Sequence, residues 1–167
     1  MRAITYLPLC APFALTTAVA FAAPGAAAQE LHGHDVCRQV GAFTPEPLGD
    51  RQGHALSITQ DSCQTTEGPT AGAIMSNSSV LEWDGAKAKS LSAYGVARKP
   101  GATLAFQGVD GAVEVIMNDG KPTGWTASGH TLITLATGSW APLNGKTVEW
   151  ASKGTGPNIS ETDYTFK

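Results

Sequence analysis

An all-β fold is what this sequence predicts: a single antiparallel up-and-down barrel of about eight strands, with a β-sandwich as the alternative. Three observations carry the prediction. From His54 to the C-terminus, apolar residues recur at every second position, the period of a half-buried strand. Turn dipeptides containing Gly punctuate that stretch at short, even intervals, as tight hairpins require. No amphipathic helical pattern interrupts them. Consecutive hairpins pair neighbouring strands in order, and closure removes the exposed edges that invite aggregation.

The elements follow in chain order. Residues 1–28 have the layout of a secretory signal peptide: Arg2 at the start, an uncharged apolar run from Leu7 to Ala23, and small residues at Ala26-Ala27-Ala28 for cleavage near Ala28. Pro8, Pro12 and Pro24 interrupt that run, unlike a spanning helix. No integral membrane segment is therefore expected after cleavage. Residues 29–53, with Pro45, Pro47 and several glycines, are expected to form an irregular N-terminal arm. A short helix near His34 to Val40 is the local option there.

Residues 54–167 form the barrel domain. In its first strand Leu56, Ile58 and Gln60 alternate with Ser57 and Thr59. Glu67-Gly68-Pro69 turns into a second strand over residues 71–83. Ile74 and Val80 fall on one parity there and Met75, Leu81 and Trp83 on the other, so a bulge is expected near Asn77-Ser78-Ser79. Asp84-Gly85 leads to the third strand, Lys89 to Arg98, and Pro100-Gly101 to the fourth, with Leu104 and Phe106. Asp110-Gly111 reads as another hairpin turn before Val113, Val115 and Met117 of the fifth. After Asp119-Gly120 the sixth runs from Gly124 to Ala136, with Trp125, Ala127, Ile133 and Leu135 on one face. Asn144-Gly145 precedes the seventh, with Val148 and Trp150 inward. Ile159 to Phe166 is the eighth, with Tyr164 and Phe166 sharing a face.

Cys10 leaves with the signal, and Cys37 and Cys63 remain. An even pair in an oxidising compartment predicts a disulfide, tying the arm to the first barrel strand. The chain has 11 basic and 14 acidic residues, for a net charge of −3. A nucleic-acid partner would need a basic face, so none is expected. With 42% hydrophobic and 15% charged residues, the chain is neither a disordered polyelectrolyte nor a multi-pass membrane protein.

No phosphate-binding glycine loop, zinc-protease helix or nucleophile elbow occurs, so no catalytic residue and no cofactor is assigned. His32 and His34 are the most metal-like pair, but a defined site needs more fixed ligands. His130 shares parity with Thr126 and Ser128 and should face water. Glu82-Trp83 and Glu149-Trp150 repeat one dipeptide on two strands, which places each Trp inside and its Glu outside. Gln60, on the parity of Leu56 and Ile58, should carry an amide inward, and Tyr94 should present its hydroxyl to a cavity. The candidate ligand site is therefore Gln60, Trp83, Tyr94, Trp125 and Trp150.

Four stretches, Glu82-Trp83-Asp84-Gly85, Gly95 to Ala102, Gly124-Trp125-Thr126 and Ala141 to Lys146, resemble a family of small exported bacterial β-proteins without assigned activity. The resemblance covers roughly His54 to Trp150 and implies a bacterial exported protein. The strand pattern is also similar to calycin-type barrels, including allene-oxide-cyclase-like ones. No residue matches the catalytic set of that cyclase, and architecture alone assigns no function. Asn77-Ser78-Ser79 fits the N-glycosylation pattern, which carries no weight in a bacterial chain.

The expected function is a non-catalytic periplasmic or secreted barrel that binds a small apolar ligand or an envelope partner. The rivals are a cyclase or isomerase working in the lumen, and a structural or inhibitory protein acting through residues 84–88 or 29–52.

Overall fold

The computed structural model describes residues 31–167; the expected signal peptide and cleavage near Ala28 lie outside them. Nine strands form one antiparallel sheet: β1 (Leu31–Gln39), β2 (Glu46–Pro47), β3 (His54–Glu67), β4 (Ile74–Asp84), β5 (Lys87–Lys99), β6 (Ala102–Asn118), β7 (Lys121–Ala136), β8 (Thr147–Gly156) and β9 (Ile159–Phe166). From β3 to β9 each strand pairs with its successor. β1 then pairs with both β9 and β3, which closes an eight-stranded barrel and leaves β2 outside on the edge of β3.

The extents of two strands differ from expectation. Leu31–Gln39 is neither an irregular arm nor a helix but the strand that closes the barrel. Without it β3 and β9 would both be open edges, and pairing satisfies their backbone groups. Asp110-Gly111 is not a turn. β6 runs straight through it, with a register shift between Gly108 and Asp110. Leu104, Phe106 and Gly108 face inward before the shift, and Gly111, Val113 and Val115 after it. The Asp110 carboxylate accepts the His130 backbone N–H at 2.9 Å, and Gly111 gives the Trp150 ring room.

The other predicted turns hold. Gly85, Gly101, Gly120 and Gly145 all take positive φ, which only Gly adopts without steric cost. The bulge expected near Asn77 lies instead on β5: Val80 pairs with Ser92 and Leu81 with Ser90, so Leu91 is the extra residue. β4 keeps one parity, with Met75, Leu81 and Trp83 inward and Ile74 exposed. β7 shifts near its end, which turns Leu135 outward and buries Ala136.

One end of the barrel is packed solid. A 3₁₀ turn, Gly138–Leu143, crosses it and buries Trp140 and Leu143 against Leu104, Ile133, Val148, Tyr164 and Phe166. A smaller cluster of Ala55, Leu81, Trp83 and Ala88 lies elsewhere in the wall, and Phe43 of the arm meets Trp83 edge-on.

The return of the arm is held by His54, which is buried. Its Nε2 meets Glu82 Oε1 at 2.9 Å and its Nδ1 meets Asp50 Oδ1 at 2.6 Å. Both ring nitrogens donate only in the protonated ring, so Glu82 and then Asp50 raise the His54 pKa above its ordinary 6.5. The sign follows from linkage. A raised histidine stabilises the fold fully below pH 6.5 and loses that contribution as pH climbs through its folded midpoint. An NMR titration should give a His54 midpoint above 6.5. Exchange of the Leu48 amide, which donates to the His54 carbonyl at 3.0 Å, should quicken above that midpoint.

Candidate functional site

The barrel is hollow. Its lumen holds an open-mouthed cavity of about 860 Å³, within the range of roughly 300–1,000 Å³ usual for small-molecule sites. Eight strands can be filled completely by large side chains or left open for one small ligand. Here the inward positions decide for the second: Ser79, Ser90, Ala93, Ala97, Gly108 and Ala127 are all small. The aromatic rings are drawn against the wall. Phe106 lies over Gly95 on the neighbouring strand, where a Cβ would collide with its ring. Trp125 lies over Gly154, whose Cβ would sit 2.6 Å from the indole nitrogen. Each pair covers a glycine with a ring and keeps the centre open.

Three of the five expected ligand residues, Trp83, Trp125 and Trp150, line this lumen. The Trp83 indole donates to Ser57 Oγ at 2.9 Å. The other two do not reach it. Tyr94 is 57% exposed, on the outward parity of β5. Gln60 is exposed as well, because β3 turns the opposite way from expectation. Its inward set is Ala55, Ser57, Thr59, Asp61, Cys63 and Thr65, while Ile58 is 69% exposed. Alternation alone favours Leu56 and Ile58 as the buried face. The half-cystine at Cys63 points to the odd face, because Cys63 pairs in register with Cys37 inside the barrel. The Cys37–Cys63 disulfide is present, with both residues buried.

The inverted strand brings in groups that the sequence reading missed. Asp61 faces the lumen, pairs in register with Asn77 on β4 and Gln39 on β1, and has no hydrogen-bond or ion-pair partner among the described residues. Burial alone raises its carboxyl to about 6. Asn77 Oδ1 is buried without a partner, and so is Asp35 Oδ1 on β1. Asp35 is only 5% exposed, and burial raises its pKa against a hydrogen bond from Thr65. Nearby hydroxyls are engaged with one another: Thr59 with Ser79 at 2.7 Å, and Thr70 with Tyr164 at 2.6 Å.

A carboxyl whose folded pKa is raised destabilises the fold above its unfolded pKa. For Asp61 that loss starts near 3.8, grows as pH rises, and is complete once pH passes about 6. Asp61→Asn removes it. Thermal melts should therefore show the variant more stable than the parent above pH 6 and indistinguishable from it below 3.8.

His32 and His34 belong to β1 rather than to an irregular arm. His32 Nδ1 lies 2.8 Å from Thr165 Oγ1, and His34 Nδ1 donates to Asp163 at 2.7 Å. With His130 they line a depression on the outer wall. Among the described residues no group of three His, Cys, Asp or Glu is placed to hold a metal ion. His130 is exposed and bonded to Asp110 at 2.9 Å. No helix of the described residues is long and apolar enough to cross a membrane.

Fold and site together define a closed eight-stranded antiparallel barrel with an internal cavity. No protein-family model, curated protein or solved structure matches the chain.

Proposed function

We propose that the protein is an exported, periplasmic or secreted barrel that binds a small apolar molecule in its lumen. One observation carries the reading: a space of about 860 Å³ remains inside the barrel, faced by Trp83, Trp125, Trp150 and Phe106. Burying apolar area in such a space contributes about 25 cal/mol per Å². The buried disulfide supports an oxidising compartment. The outer wall carries ion pairs such as Lys89–Glu82 and Lys153–Glu161, which suit water rather than lipid.

The test is titration with a neutral probe, 1-naphthalenemethanol, followed by tryptophan fluorescence and calorimetry. Saturable one-to-one binding is expected. Ala127→Phe, which places a ring in the lumen, should abolish it while leaving the far-ultraviolet spectrum unchanged. Equal binding by parent and variant would overturn the reading.

A second reading, docking of an envelope protein on the outer wall, is favoured by exposed apolar side chains on β3, β5 and β6: Ile58, Leu91, Tyr94 and Val109. It predicts that Ile58→Lys with Leu91→Lys removes partner capture and leaves probe binding intact. For the cyclase or isomerase rival, the inward Tyr164 is poorly suited to proton transfer near neutrality. Its hydroxyl is bonded to Thr70, and burial pushes it up to about 12.

A further inference from the structure

The ionisable side chains that bring charge to the lumen near neutrality are of one sign. Among the described residues no Lys, Arg or His lines it, whereas Asp35 and Asp61 do, and the Asp110 carboxylate points to the outer wall. Asp110 is engaged by His130. Among the described residues no cation acts on Asp61, and Asp35 feels the charge of His34 on its own strand. Among the described residues two buried oxygens, Asp35 Oδ1 and Asn77 Oδ1, lack a hydrogen-bond donor, and the Asp61 carboxyl has no hydrogen-bond or ion-pair partner. Orphaned acceptors in an apolar enclosure are costly, and buried carboxylates are ordinarily paired. Asp61 and Asn77 are register partners on adjacent strands, so their side chains stand about 5 Å apart at the Cβ atoms. Two acceptors at that spacing can share one donor group. β7, which carries Trp125, lies opposite β3 in the ring of eight strands, and Trp150 is on the strand beside it. Indole faces attract cations as well as apolar surface.

We propose that the lumen receives an organic amine, its protonated nitrogen seated between Asp61 and Asn77 and its apolar body lying against Trp125 and Trp150. The proposal rests on the lumen being a ligand site and specifies the chemical class of that ligand. An ammonium group supplies the donors that Asn77 Oδ1 and Asp61 lack, and it offsets the charge of Asp61. Asp35 adds a second carboxyl facing the same space. From Asp35, which is level with Thr65, to Asp61 is four residues along β3, about 13 Å at the rise of a strand. Asp35 therefore biases the lumen towards cations without touching the same nitrogen. An anionic ligand would face these carboxyls with no basic side chain to receive it.

The experiment uses three probes with one ring system: 1-naphthylmethylamine, 1-naphthalenemethanol and 1-naphthylacetate. Each is titrated into the folded protein by calorimetry near neutral pH. The amine should bind at least about tenfold more tightly than the alcohol, and the carboxylate most weakly. Asp61→Asn should bring the amine down to the alcohol while leaving the alcohol unchanged. This variant is isosteric and relieves a buried charge, so loss of the fold is not the expected cause.

A pH series gives a second readout. Asp61 ionises around 6, while an alkylamine stays protonated to about pH 9 or above. Amine affinity should therefore rise between pH 5 and pH 7, and alcohol affinity should stay flat. Among the described residues the other titratable groups facing the lumen are Asp35 and Tyr164; on β1 and β4 the groups in register with Asp61 are the uncharged Gln39 and Asn77. Amine and alcohol binding alike would overturn the proposal and leave the lumen reading standing. Binding of none of the three probes would overturn both.

Discussion

Trp140→Ala is expected to destabilise the protein by about 3–5 kcal/mol, the range for truncating a buried Trp to Ala. Trp140 is 2% exposed, at the centre of the 3₁₀ turn that crosses the packed end of the barrel. Its ring packs in the larger core cluster, and its indole donates to the Pro69 carbonyl at 3.2 Å. The Lys99 ammonium lies 5.0 Å from the ring centre. The substitution removes ring volume, a hydrogen bond and a cation–π contact together, and the lost packing dominates. The surrounding strands are fixed by their ladders and cannot collapse into the void. Urea unfolding at pH 7 measures the loss. A change under about 1 kcal/mol would mean that the 3₁₀ turn is not the seal it looks like. Trp140→Phe should recover most of the packing and about half or more of the stability.

Removing the Cys37–Cys63 bridge as the double alanine variant should cost about 3.5 kcal/mol by the loop-entropy relation for a sequence separation of 26. The bridge joins β1 to β3 across the place where the first barrel strand closes the ring. Its effect should therefore be local as well as global. Hydrogen exchange should show the β1 amides opening well before those of β5 to β7 in the variant, and together with them in the parent. Uniform exchange across all strands would show that pairing holds β1 in place without the covalent link. The parent unfolded under reducing conditions should match the variant.

Much of the barrel was legible in the order of residues. The hairpin dipeptides Asp84-Gly85, Pro100-Gly101 and Asp119-Gly120 sit where the chain reverses, because positive φ is written into local chemistry. The partnership of Cys37 and Cys63 was legible from their even number and the oxidising compartment expected for the chain. The inward placement of Trp83, Trp125 and Trp150 was legible because large rings beside the polar Glu82, Thr126 and Glu149 alternate plainly along a strand.

Two other outcomes needed the assembled barrel. Leu31–Gln39 has little periodicity of its own, and its strand exists because β3 and β9 leave unpaired backbone on either side. The face of β3 is the sharper case. A period of two says that its faces differ but not which one is interior. When the interior is a solid core, the greasier face goes inside, and Leu56, Ile58 and Gln60 follow from that rule. In a barrel that keeps space at its centre, small and polar groups line the inner wall, so Ser57, Thr59 and Asp61 face inward and Ile58 is left in water. Whether a closed sheet is filled or hollow depends on residues contributed by all eight strands at once. No single segment carries that information.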